Sequence, residues 1–220
     1  MRNVLLMLSL VATALGFSPL VSADVSDYEV SREVVERTMA DLVKLMSEAE
    51  LPEDMAGRQQ VIRDLIGQNM EPVMDFKRIV KRVMGKHFAG ASKEQRNAFL
   101  NAFRSSLVNT YGKYLIDSDL RAIAEKLRYQ VLPLGRQRSE GRSAVNSIIA
   151  YDGNQYEVTF SMYFNPQASQ WLMENIIVEG INLGINYRTQ FDRLMLSYQG
   201  DYDRVINEWA SVDDQEVAAK

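Results

Sequence analysis

The chain has no cysteine and a single histidine. Without cysteine it forms no disulfide, offers no thiolate and has no thiol for lipid attachment, so stability must come from core packing. One histidine leaves little for a metal site, which needs clustered ligands. A Ser-His-Asp triad would have to use His87, yet the glycine pattern of a nucleophile elbow does not occur. No glycine-rich phosphate cradle occurs either. A basic surplus is also missing: 25 Lys and Arg stand against 29 Asp and Glu, a formal net charge of −4. That balance argues against nucleic acid as a partner and against tight adsorption to anionic lipid. No stretch rich in Pro, Gly or Ser marks a linker, and no internal repeat is visible.

The one long apolar run is N-terminal. Arg2 supplies a positive start, Val4 to Leu15 is almost unbroken apolar sequence, and Val21-Ser22-Ala23 places small residues before Asp24. These are the three parts of a secretory signal peptide. The run is too short for a comfortable membrane span, which needs about 20 residues. The expected organisation is a signal peptide over 1–23 cleaved after Ala23, a single domain over 24–215, and a disordered tail over 216–220.

The first half of the exported part reads as helical. Val34, Val35, Met39, Leu42, Val43 and Met46 recur at helix spacing between Asp27 and Glu48. Leu51-Pro52 breaks that run. Val61, Ile62, Leu65 and Ile66 form a shorter stripe, and Pro72 is a second break. Phe76, Ile79, Val80, Val83 and Met84 form the apolar face of a third helix. Ser92 to Gln95 fits a capping box and opens a long aromatic-rich stripe from Ala98 to Leu115. The period then changes to two. Leu127, Tyr129 and Val131 alternate with polar partners, as do Val145, Ser147 and Ile149, then Tyr156, Val158, Phe160 and Met162. Asp152-Gly153-Asn154 is a hairpin signal. A two-residue turn puts Val145, Ser147, Ile149 and Tyr151 on one face with Tyr156, Val158, Phe160 and Met162. A further strand is predicted from Trp171 to Val178, and helices around Tyr187–Tyr198 and Val205–Trp209. The expected class is α+β: an antiparallel meander whose apolar face is covered by N-terminal and C-terminal helices.

Little in the sequence suggests chemistry. His87 keeps step with Ile79, Val80 and Val83 and reads as a helix-end residue. Asp117 with Asp119, and Asp201 with Asp203, read as helix-start or turn residues, outside any calcium-loop pattern. The apolar and aromatic stripes read first as core, and a hollow core has the same composition as a solid one. The residues alone point to an exported binder, not an enzyme.

Two blocks carry more. Asp75, Phe76, Gly85, Phe88, Ala91, Ser92, Gln95, Arg96, Phe99 and Phe103 fall in the first; Trp171, Glu179, Gly180, Ile181, Leu183, Asn186, Tyr187, Arg188, Gln190 and Phe191 fall in the second. At these spacings the chain resembles the MlaC family, the toluene-tolerance family of transporter auxiliary proteins. It departs from the family at Asn175, usually Asp, and at Asn182, usually Ser; Phe88 stands where Trp is often found.

The resemblance implies a monomeric periplasmic phospholipid carrier with no cofactor other than its cargo. It implies lipid shuttling between an outer-membrane lipoprotein–porin complex and an inner-membrane ABC transporter complex with a substrate-binding ring, maintaining outer-membrane lipid asymmetry. It also implies a hydrophobic lipid cavity between sheet and helices. The expected lining is Val145, Ile149, Tyr156, Val158, Phe160 and Met162 from the sheet, with Ile79, Val83, Phe99, Phe103 and Tyr111 from the helices. The competing readings are a carrier of another, hopanoid-like amphiphile, a solid-core periplasmic adaptor, and a hydrolase built on His87.

Overall fold

A computed structural model describes residues 27–133 and 136–211. The expected leader and C-terminal tail lie outside these residues.

Five helices come first: α1 (Asp27–Glu48), α2 (Met55–Met70), α3 (Phe76–Met84), α4 (Lys93–Ile116) and α5 (Leu120–Lys126), with a 3-10 turn at Gly85–Gly90. Six strands follow: β1 (Arg128–Val131), β2 (Arg136–Ser139), β3 (Arg142–Tyr151), β4 (Asn154–Asn165), β5 (Gln170–Val178) and β6 (Ile181–Asn182). Helices α6 (Leu183–Ser197) and α7 (Tyr202–Ser211) close the described chain. The sequence pattern does not announce α5, β2 or β6, which are too short to show a period.

Side-chain caps set most helix starts. Asp54 accepts from the Gly57 N–H at 2.8 Å, and Asp75 from the Arg78 N–H at 2.9 Å. Ser92 and Gln95 cap each other's backbone reciprocally, as the capping box requires. Asp119 opens α5, and Asp201 accepts from the Arg204 N–H. Two of the four D-x-D aspartates therefore cap helix starts, and Asp117 closes α4.

The sheet is an antiparallel meander, with β1 and β2 pairing with the two ends of one edge of β3. Pro133, which has no N–H for a ladder, lies at the break between them. Asp152 (φ 51°) and Gly153 (φ 83°) make the two-residue turn between β3 and β4. The turn fixes the register Ile149↔Tyr156, Ser147↔Val158, Val145↔Phe160 and Ser143↔Met162.

In β5 the alternation breaks. Met162 pairs with Met173 and Ser161 with Asn175, leaving Glu174 as the extra residue of a bulge. The bulge switches parity: Trp171 and Met173 share the apolar face with Ile176 and Val178.

The core divides into three clusters. One joins the apolar sheet face to α1; another joins α3, α4, α6 and α7; the third packs the C-terminal half of α1 on α2 and α5. The apolar sheet face is thus covered by α1. The C-terminal helices pack on α3 and α4, and α6 also meets β5 and β6.

Candidate functional site

The period-2 pattern of β3 and β4 and the parity switch in β5 gather one apolar surface. Val131, Val145, Val158, Phe160, Met162, Trp171 and Met173 are buried in it, against Tyr28, Val35 and Met39 of α1. The inward face of α1 is only partly apolar. Ser31 is fully buried and its hydroxyl donates to the Tyr28 carbonyl at 2.8 Å. That spends its one proton, so in the 2.5 Å contact between the Ser31 and Ser143 hydroxyls, Ser143 is the donor. Thr38, also buried, donates to the Val34 carbonyl. The Ser147 hydroxyl is buried on the same sheet face with no hydrogen-bond partner. An unpaired buried hydroxyl costs free energy. The contact between α1 and the sheet is therefore less cohesive than an all-apolar one of equal area.

Clefts run along both flanks of α1. One of about 600 Å³ lies between α1, α2 and the start of β5; its walls mix apolar Val34, Leu45, Val73 and Trp171 with polar Thr38 and Asn69 and charged Arg37, Asp41, Lys44 and Glu48. The other, about 650 Å³, is a shallow, open groove between α1 and β1, walled by Glu33, Glu36, Arg37, Ala40, Tyr129, Gln130 and Val131. The first falls within the roughly 300–1,000 Å³ of ligand pockets. Asn69 is buried; its amide N–H donates to the Thr38 carbonyl at 3.2 Å, which leaves its carbonyl oxygen unpartnered. Towards the β3–β4 turn the face runs on through half-buried Tyr129, Ile149, Ile176 and Val178 to exposed Tyr156. The surface is apolar, continuous and partly uncovered. It suits long aliphatic groups.

The helix residues expected in the same lining lie elsewhere. Ile79, Val83, Phe99 and Phe103 sit in the cluster of α3, α4, α6 and α7. Phe99 stands 4.7 Å from Phe191 and 5.1 Å from Trp209, both edge-on, and Phe103 is 5.2 Å from Tyr187. These rings fill one another's space. Tyr111 is exposed, its hydroxyl 3.2 Å from that of Tyr187. The structure therefore brings the six sheet residues to one face, with Tyr156 at its exposed end, and does not bring the five helix residues to it. The helical stripe marks burial, but its partners are α6 and α7. The residues missing from the expected site are Tyr28, Val35 and Met39 of α1, with Asn69, Trp171 and Met173. The α1 periodicity was the signal for Val35 and Met39, and the apolar start of β5 for Trp171 and Met173; nothing in the sequence pattern marked Tyr28 or Asn69.

His87 lies in the 3-10 turn, with Nε2 2.8 Å from Asp192 Oδ1 and its ring against Phe191. The pair ties that turn to α6. Among the described residues no group of three His, Cys, Asp or Glu could hold a metal ion, and no helix is long and apolar enough to cross a membrane.

Several residues of the two sequence blocks meet in space. Gly85 (φ 52°) leaves room for Arg188; a Cβ there would stand 2.8 Å from its Nε. Arg96 donates to the Phe88 carbonyl at 3.0 Å and lies 4.3 Å from the centre of its ring. The Asn175 amide donates to Asn182 Oδ1 at 3.0 Å, so the two departures from the family pattern touch.

The MlaC protein family matches residues 36–211. The chain is 28% identical over 148 residues to the toluene tolerance protein ttg2D of Pseudomonas putida, a match covering 67% of this chain. It spans 65% of that relative's length, just under two thirds. Among solved structures, the phospholipid-binding protein of Ralstonia solanacearum, determined with a phospholipid bound, is similar in fold. Its TM-score is 0.68 at 21% identity, over 82% of this chain and 98% of that one.

Proposed function

This chain belongs to the MlaC family, and on that premise we propose that it is a periplasmic phospholipid carrier holding acyl chains between α1 and the apolar sheet face. One observation carries the reading. A continuous apolar face, from Met162 and Trp171 to Ile149 and Val178, is covered by a single helix with clefts on both flanks. The phospholipid held by the Ralstonia protein of the same fold supports it.

The energetics fit a carrier. A diacyl lipid has roughly 30 methylene groups; at ~0.8 kcal/mol each, exposing them to water costs more than about 20 kcal/mol. Only a dry apolar surface nearly as good as bilayer can hold such a cargo in water. No catalytic step and no cofactor enter this reading. The finer assignment is a shuttle between an outer-membrane lipoprotein–porin complex and an inner-membrane ABC transporter complex, preserving outer-membrane lipid asymmetry. The carrier works after removal of the leader at Ala23, and its partners set the direction.

The absence of cysteine permits a clean test. The Ser31 and Ser143 hydroxyls are 2.5 Å apart across the α1–sheet contact. Replacing both with cysteine (Ser31→Cys with Ser143→Cys) allows one disulfide in an otherwise thiol-free chain. Reduced protein is expected to co-purify with lipid, read by native mass spectrometry, and to exchange it with vesicles. Oxidised protein is expected to neither load nor release. Equal exchange in both redox states would place the cargo elsewhere, and a lipid-free reduced protein would sink the carrier reading.

A further inference from the structure

Helix α3 divides sharply. Its inward positions, Phe76, Ile79, Val80, Val83 and Met84, are all apolar and buried. Its remaining positions are Lys77, Arg78, Lys81 and Arg82, and Lys86 continues them. Arg142 of β3 and Arg188 of α6 join this face, the first through Glu174 and the second on Gly85. Seven cations stand there against three carboxylates, Asp75, Glu174 and Asp192, a local surplus of four. The whole chain carries −4. Charge is therefore segregated, and the net value hides a basic face on an acidic protein.

The arginines are also ordered. Glu174, on the β5 bulge, is 5% exposed at its side chain and accepts from Arg78 at 2.5 Å, Arg82 at 2.7 Å and Arg142 at 2.8 Å. The three guanidiniums remain 35%, 54% and 45% exposed. Each has five N–H donors, so each keeps donors for solvent or a partner after serving one carboxylate. Arg78 is further held 4.1 Å over the Tyr163 ring. Fixing these long side chains beforehand lowers the entropy lost on binding, and their forks match carboxylates.

We propose that the outward face of α3, with Arg142 and Arg188, is a docking surface for an acidic patch on a folded partner protein. A fixed array of forks matches carboxylates held at fixed positions, and a fluid anionic bilayer makes no use of that order. Helix α3 also exposes no large apolar side chain to enter a headgroup layer. The face shares no residue with the α1 clefts, so the proposal does not depend on the cargo.

The test uses the mature protein and two defined probes: a fluorescent oligo-glutamate peptide, read by anisotropy, and phosphatidylglycerol-rich vesicles, read by co-sedimentation. Peptide affinity is expected to fall at least tenfold with added salt, because the exposed charges are screened within about 10 Å at 0.1 M. It is expected to fall at least tenfold again in Lys77→Glu/Lys81→Glu. The matched reversal Lys113→Glu/Lys126→Glu, at exposed positions away from α3, is expected to stay within about twofold of the parent. Melting curves and co-purified lipid should be unchanged in both variants, which separates this proposal from the carrier reading. Equal loss in the two variants would reduce the face to bulk charge. Vesicle binding lost only in Lys77→Glu/Lys81→Glu, without peptide binding, would replace the protein partner with a membrane. Absence of both would overturn the docking surface.

Discussion

Replacing Asn175 with Asp tests how closely the local network is wired. Asn175 Oδ1 accepts from the Gly184 N–H at 2.9 Å, and its amide donates to Asn182 Oδ1 at 3.0 Å. The same Asn182 oxygen caps α6 by accepting from the Ile185 N–H at 3.1 Å. In Asn175→Asp the oxygen facing Gly184 is kept, but two acceptors now confront each other across 3.0 Å. Asn182 can turn its amide to donate to the new carboxylate, and then loses the cap. The contact between residues 175 and 182 is then remade and the cap is what is lost, at about 1–2 kcal/mol. A carboxylate near the N-terminus of α6 returns roughly 0.3–1 kcal/mol. The net loss is about 1 kcal/mol, a fall in Tm of roughly 2–4 °C for a domain of this length. Asn182→Ser alone is expected to be nearly neutral, since serine also caps. In the double variant Asn175→Asp/Asn182→Ser, the introduced hydroxyl donates to the new carboxylate while its oxygen accepts the Ile185 N–H. That pair should therefore melt at or above the parent. The assay is a four-protein cycle of thermal and urea melts at pH 7, with an expected coupling of about 1 kcal/mol or more. A stable Asn175→Asp, or additivity across the cycle, would refute the reasoning.

Three further outcomes follow from the geometry. Burial alone would raise the Glu174 pKa, but Arg82 and Arg78 outweigh it and hold the carboxyl below the usual glutamate range. Its contribution is therefore present above the unfolded pKa of about 4.3 and lost as pH falls through the folded value; Glu174→Gln should cost about 2–4 kcal/mol at pH 7, with the gap to the parent closing in acid melts. Burial, then the hydrogen bond to Asp75, push the Tyr163 hydroxyl up to about 12. That contribution is full below about pH 10 and lost between 10 and 12, so Tyr163→Phe should cost about 1 kcal/mol at neutral pH and flatten the alkaline limb of the stability profile. Ile149→Asp, at a half-buried position on the open end of the sheet face, should lower co-purified lipid severalfold while moving Tm by only a few degrees; undiminished lipid would remove that end from the site.

What was legible in the sequence was mostly local. The α1 span, the Ser92–Gln95 box and the Asp152-Gly153 turn are set by neighbours in the chain, and the turn alone decides which residues of β3 and β4 share a face. What was not legible depends on distant partners. The stripe of Phe99 and Phe103 announces burial but does not say that Phe191 and Trp209 fill the space beside it. Nothing in WLMENIIV marks Glu174 as the extra residue, because the bulge exists only against β4. Net charge, being a sum, concealed the basic face of α3. Half of the expected site was therefore readable as a shared face, while its cover was expected from the N-terminal and C-terminal helices without α1 being singled out.

The sheet's borders bear on how safely such a molecule can open. One margin is interrupted at Pro133, between β1 and β2. At the other, β5 is paired by β6 only at Ile177 and Val178, and near its start by backbone bonds between Met173 and the Val73–Asp75 segment. Among the described residues, neither border offers a long run of vacant peptide groups for a second molecule to extend. If α1 lifts to admit cargo, the surface laid bare is sticky across its breadth yet hard to lengthen at its rim. Two opened copies could touch face to face and separate again, but could not readily zip into a growing stack.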